Sequence, residues 1–114
     1  MALPAAIRQT IEEQLTAYCL RTVPLRYRNQ LRLNYKLRGN SVTLLEEREP
    51  VLPAGPWVSR PVAQFRYAPD SGQWVLYGAD RNGRWLAYHL IEPTTDFSAL
   101  LQIMDADKTG LFWG

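Results

Sequence analysis

Between Gln30 and Arg48 the chain alternates apolar and polar residues with a period of two. Leu31, Leu33, Tyr35 and Leu37 interleave with Arg32, Asn34, Lys36 and Arg38. Such alternation marks a strand with one buried face and one wet face. Gly39-Asn40 carries a two-residue turn signal, and Val42 and Leu44 resume the pattern beyond it. The segment therefore predicts a β-hairpin with a greasy face and a basic face. With Gly39 and Asn40 as the loop, Arg32 falls opposite Glu47 and Lys36 opposite Thr43. Opposite charges facing each other across the strands support that register.

Upstream, Pro4 to Leu20 predicts a helix. Ile7, Ile11, Leu15 and Tyr18, with Cys19, recur every three or four residues and form one apolar stripe. Proline suits the first turn, and Pro24 ends the segment. Leu25–Asn29 is a basic connector. Downstream, Glu49–Arg60 holds three prolines and a glycine in twelve residues, the composition of a loop ordered by contact rather than a domain linker. A third strand is expected over Pro61–Tyr67, then a Pro69–Gly72 turn, a fourth strand over Gln73–Ala79 and a fifth over Arg84–Ile91. Asp96–Met104 predicts a short helix with Thr95 as N-cap, followed by an apolar tail from Leu111. Taking Asn82-Gly83 as a two-residue loop places Tyr77 opposite Tyr88 and Asp80 opposite Trp85. Trp74, Leu76, Trp85, His89 and Ile91 then share one face, and Val75, Tyr77, Leu86, Tyr88 and Leu90 the other. Both faces of this second hairpin are apolar and need cover from the helices, the proline loop or a second copy of the chain. The fold class is α+β: an N-terminal helix, a mainly antiparallel meander of about five strands and a short C-terminal helix, in one domain over residues 1–114.

Length and composition agree, since 114 residues at 46% hydrophobic can bury one core. Cys19 is the sole cysteine, which excludes an internal disulfide and a thiolate metal centre and fits a reducing compartment. The N-terminus lacks the basic and apolar regions of a signal peptide, and no apolar run approaches the roughly 18 residues of a membrane span. A soluble cytoplasmic protein without membrane contact is expected. The net charge of +2 conceals an asymmetry: residues 21–38 carry +6 with no acid, while residues 92–114 carry −3. Arginine outnumbers lysine 11 to 2, and arginine is the better residue for bidentate phosphate or carboxylate contacts and for stacking on rings.

Catalytic constellations are weak. Asp105–Gly110 begins like an EF-hand calcium loop, but its twelfth position falls after Gly114 and a helix C-terminal turn closed by Gly110 explains it. Glu46, Glu47 and Asp80, with Lys36, could serve a metal-dependent nuclease. However, adjacent strand residues point to opposite faces, and Glu47 already faces Arg32. His89 has no neighbouring nucleophile and acid in the pattern, so a core histidine is the preferred assignment. No catalytic residue, metal site or cofactor is assigned. Two binding candidates remain. Arg81 and Arg84 flank the second turn and would face each other there, a repulsion that an anion or Asp80 could relieve. Arg26, Arg28, Arg32, Lys36, Arg38 and Arg66 form the stronger candidate, a basic sheet face near tyrosines that could hold phosphates and stack bases. No ribonucleoprotein, zinc or helix-turn-helix signature accompanies it.

The strings QLRLNYKLRGNSVTLLEER, PVAQFRY, WVLYGADRNGRWLAYH and DFSALLQIMDADKTGLFWG, in that order, resemble the bacterial family called Domain of Unknown Function 3024. The resemblance spans nearly the whole chain. It implies a stand-alone bacterial domain of about this size and no activity, so no family residue carries a role over. The leading expectation is a non-enzymatic binding module using the basic face, with nucleic acid or another anionic partner. A protein-interaction or homodimeric module through the aromatic second hairpin comes next, and an enzyme third.

Overall fold

Helix α1 spans Ala5–Thr22 in the computed structural model, which describes residues 3–113. Its stripe behaves as the spacing demands: Ile11, Leu15 and Tyr18 are buried, and Ile7 and Cys19 pack half-buried against the same core. Val23 turns extended, as a residue before proline should, and Pro24 opens a short 3-10 turn over Leu25–Tyr27.

Five strands follow in a simple meander, each antiparallel to the next: β1 Leu31–Arg38, β2 Ser41–Arg48, β3 Val58–Ala68, β4 Gln73–Ala79 and β5 Trp85–Ala87. The first hairpin takes the expected register, with Arg32 opposite Glu47 and Lys36 opposite Thr43. Gly39 supplies the positive φ (58°) its tight turn needs.

β3 starts three residues earlier than its sequence pattern suggests and runs through Pro61. A bulge makes this possible: Leu44 pairs with Ala63 and Leu45 with Pro61, leaving Val62 unmatched. Proline has no N–H for the ladder and is tolerated beside such an irregularity. Val62 and Ala63 are both buried, which strict alternation forbids and the extra residue permits.

The two helices share one side of the sheet. α2, Phe97–Ala106, packs Phe97, Leu100, Leu101 and Met104 into the core formed by α1 with Val42, Leu44, Phe65, Trp74 and Leu76. The Phe97 ring sits 4.8 Å from Phe65 and 5.0 Å from Trp74, centroid to centroid. Asp96, not Thr95, caps the helix, accepting from the Ser98 amide at 3.1 Å. At the other end Asp107 adopts a left-handed conformation, and its carboxylate accepts from the amides of Phe112 and Trp113. This clamps the tail onto β4. Gly78 makes the approach possible, because a Cβ there would collide with the Leu111 side chain.

The second hairpin departs from its expected register by one residue. Tyr77 pairs with Ala87 and Ala79 with Trp85, so the loop is Arg81-Asn82-Gly83 and not Asn82-Gly83 alone. Asp80 is the cause: its carboxylate accepts from the amides of Asn82 and Arg84, and Gly83 takes the positive φ (78°) of a three-residue turn. One residue of slip exchanges the faces. Trp85 joins Tyr77, and Tyr88 turns to the core, where it is buried against Phe112. β5 ends at Ala87, not Ile91, because the chain turns away and returns only at Thr94, which bridges to Trp74. His89 lies in that turn and is exposed, contrary to the core position its pattern suggests.

Candidate functional site

Since both helices cover one side of the sheet, the other side carries no second layer among the described residues. Period-two alternation decides what it shows. β1 contributes Arg32, Asn34, Lys36 and Arg38, β2 Ser41, Thr43, Leu45 and Glu47, and β3 Gln64 and Arg66. β4 contributes Val75 and Tyr77, and β5 Trp85. The register is what gathers them. Arg66 pairs with Ser41 on one side and Val75 on the other, so it sits beside the end of the first hairpin that carries Arg38. Four cations against the single carboxylate of Glu47 leave this face at +3.

The cations differ in how they are held. Arg32 donates to Glu47 at 3.0 Å and lies over the Trp57 ring, 3.9 Å from its centroid. Arg66 lies over the Tyr77 ring at 3.9 Å and donates to Gln64 Oε1, whose amide donates in turn to Thr43 Oγ1 at 3.0 Å. Lys36 and Arg38 are exposed and form no ion pair with any described residue. Two guanidiniums thus sit over rings, and two cations project into solvent without an ion pair to any described residue.

Two of the sequence candidates do not join this face. Arg28 turns back onto α1, donating to the carbonyls of Leu20 and Val23, where a cation complements the helix C-terminus. Arg26 stays on the connector over the Tyr27 ring, 4.9 Å from its centroid. The hairpin tip also changes. Arg81 and Arg84 are not opposite each other; Arg84 reaches back to Asp80 at 3.4 Å. Hydrogen bonds from the Arg84 and Asn82 amides hold the Asp80 carboxyl below its ordinary range. Arg81 lines a hollow of about 320 Å³ with Arg60, Pro61 and Asp80, where β3 and β4 part beyond the bulge.

Trp57 and Trp85 are the face residues that periodicity missed. Trp57 lies in the proline-rich segment, which has no alternation to read. Trp85 lies on the side opposite to the one its alternation predicts, because of the one-residue slip. The Asn82-Gly83 signal is real but is overruled by Asp80, and an aspartate two residues before an Asn-Gly pair was the available warning.

The carboxylates do not converge. Glu46 faces the helix side, ion-paired to Arg48 at 2.9 Å and Arg60 at 3.4 Å, while Glu47 faces the open side. Asp105 bonds to Arg21 at 3.2 Å and Asp107 to the tail amides. Among the described residues no group of three or more His, Cys, Asp or Glu side chains gathers as a metal-binding set. Burial pushes the Cys19 thiol up to about 11, far from the range of a reactive thiolate. Among the described residues no helix is long and apolar enough to cross a membrane. The open face thus presents four cations, the Glu47 carboxylate and the rings of Tyr77 and Trp85.

A family model described as Domain of unknown function (DUF3024) matches residues 3–114. No curated protein and no solved structure matches the chain.

Proposed function

We propose, for a chain that belongs to the DUF3024 family of unknown function, a binding module that holds nucleic acid on the open face of its sheet. The observation that carries the reading is the meeting of Arg32, Lys36, Arg38 and Arg66 with, among the described residues, only Glu47 against them and no helix covering their face. A surface of +3 attracts a polyanion by releasing its counterions, and such contacts are indifferent to sequence. Small anions would gain from one cation at a time; a polymer engages several at once. The unpaired Lys36 and Arg38 need break no existing bond to do so.

Titration of labelled oligonucleotides at several salt concentrations tests this. Three or four phosphate contacts give a log–log slope of about −2 to −4. Replacing Arg32, Lys36 and Arg38 together by glutamine lowers the slope by about 2 to 3 and leaves the melting temperature nearly unchanged, because these side chains face solvent. No binding to any nucleic acid below about 50 mM salt, where electrostatic attraction is strongest, would remove the reading.

A second reading is an interaction surface around β5. Leu86, about half exposed, lines a hollow of about 410 Å³ with Tyr88, His89 and Leu111, and the similarly exposed Leu90 lines a second hollow with Tyr88 and Ile103. Such a patch fits a protein partner or a second copy. Sedimentation of the native chain and of Leu86→Lys distinguishes it: a dimer that the substitution dissociates supports this reading.

A further inference from the structure

The open face presents rings as well as charge, and their arrangement narrows the ligand. Tyr77 on β4 and Trp85 on β5 are diagonal neighbours, because Tyr77 pairs with Ala87 and Trp85 with Ala79. Diagonal neighbours on a sheet lie about 7 Å apart, within reach of each other's rings. Trp57 lies toward the opposite edge, beneath Arg32. All three rings are only half-buried, on a face without a covering layer. Over two of them a guanidinium already occupies the position where a flat group stacks, 3.9 Å from each centroid. An arginine in that place can move to a phosphate and leave its ring to a base, so the same pair serves both halves of a nucleotide.

Shape excludes the groove of a duplex. Five strands at about 4.8 Å spacing make a face roughly 19 Å across. The B-DNA major groove is about 12 Å wide and admits a helix or a two-stranded ribbon, not a sheet of this width. Both helices lie on the other side of the sheet, so none is offered to a groove from this face. A duplex could touch this surface only through its phosphates. Unpaired bases can turn onto the rings, and stacking of this kind tolerates any base.

We infer that the ligand of this face is single-stranded nucleic acid, its bases stacked on Tyr77, Trp85 and Trp57 and its phosphates held by Arg66, Arg38, Lys36 and Arg32. The inference rests on the proposed nucleic-acid reading and adds to it the strandedness and the rings.

The test compares the full chain on a twelve-nucleotide single strand and on a twelve-base-pair duplex at low salt, by fluorescence anisotropy. Single strand is expected to bind at least tenfold tighter than duplex. Tyr77→Leu, which keeps an apolar side chain and removes the ring, is expected to weaken single-strand binding about 5- to 100-fold and to leave duplex binding within twofold. Trp57→Leu is the second variant, in case Tyr77→Leu unfolds, which far-ultraviolet circular dichroism reports. Arg8→Gln on α1 is the charge control and is expected to leave both affinities within about twofold. Equal affinity for both ligands, with neither ring variant discriminating between them, would overturn the single-strand inference while the nucleic-acid reading stands. Absence of binding to either ligand at low salt would overturn both.

Discussion

Among the described residues Glu46 is the one charged residue that is buried, 7% exposed on the helix side of β2. Alternation put it there: it follows Val42 and Leu44 on the same face. Burial alone would raise its pKa, but hydrogen bonds from Arg48 and Arg60 outweigh burial and hold it below the ordinary glutamate value. A folded pKa below the unfolded one means that the ionised form favours folding. The contribution is therefore present above the ordinary glutamate range and is lost as pH falls through the folded value. Denaturant titrations of the native chain should lose stability steeply below about pH 5. Glu46→Gln should be about 1–2 kcal/mol less stable at pH 7 and show a flatter acid limb. Equal acid limbs would show that Glu46 is not the group responsible. The apolar neighbours rank by burial. Leu44 is fully buried, whereas Leu33 and Tyr35, expected to be buried with it, are half-buried because β1 is an edge strand. Leu44→Ala should cost about 2–5 kcal/mol and Leu33→Ala about 1–2 kcal/mol by chemical denaturation.

The elements are joined by carboxylates that no helix or strand propensity reveals. Asp80 sets the second hairpin and Asp96 starts α2. Asp107 joins the end of α2 to the tail through two amides, and does so at φ 42°, a conformation that costs a non-glycine residue energy. Asp107→Ala keeps that cost and loses both bonds, so it should destabilise by about 1–3 kcal/mol. Asp107→Gly loses the bonds but relieves the backbone and should fall between the two. Amide exchange of Phe112 and Trp113 should quicken in both variants. If Asp107→Gly proves the less stable of the pair, backbone strain at this position is not what separates them. The basic hairpin is an element of another kind. Its register was readable because Arg32 and Glu47 lie on one face with complementary charge, and the observed 3.0 Å contact is exposed enough to contribute under about 1 kcal/mol.

Across the molecule, one contiguous core cluster draws buried residues from both helices and from β2, β3 and β4, with half-buried residues of β1 packed against it. A single core of this kind should unfold in one step. Far-ultraviolet circular dichroism and tryptophan fluorescence should give coincident denaturant transitions, although the tryptophans lie in different elements. Two separated transitions would show that the tail and α2 unfold independently of the sheet. The sequence by itself determined the class, the number and order of elements, the first hairpin's register and its greasy and basic sides. These follow from local rules: period two for strands, period 3.6 for α1, turn residues for the reversals. Tertiary structure alone decided which cations share a surface. Arg28 left the basic set for the end of α1 and Arg26 stayed on the connector, while Arg66, already grouped with the set in sequence, was seated beside it by β3 pairing, a contact between residues more than twenty positions apart. It also decided that one sheet face stays open, since both helices pack on the same side, and that Trp57 and Trp85 lie on that face. Long-range pairing and a single bidentate aspartate at a turn set those outcomes, and neither leaves a periodic trace along the chain.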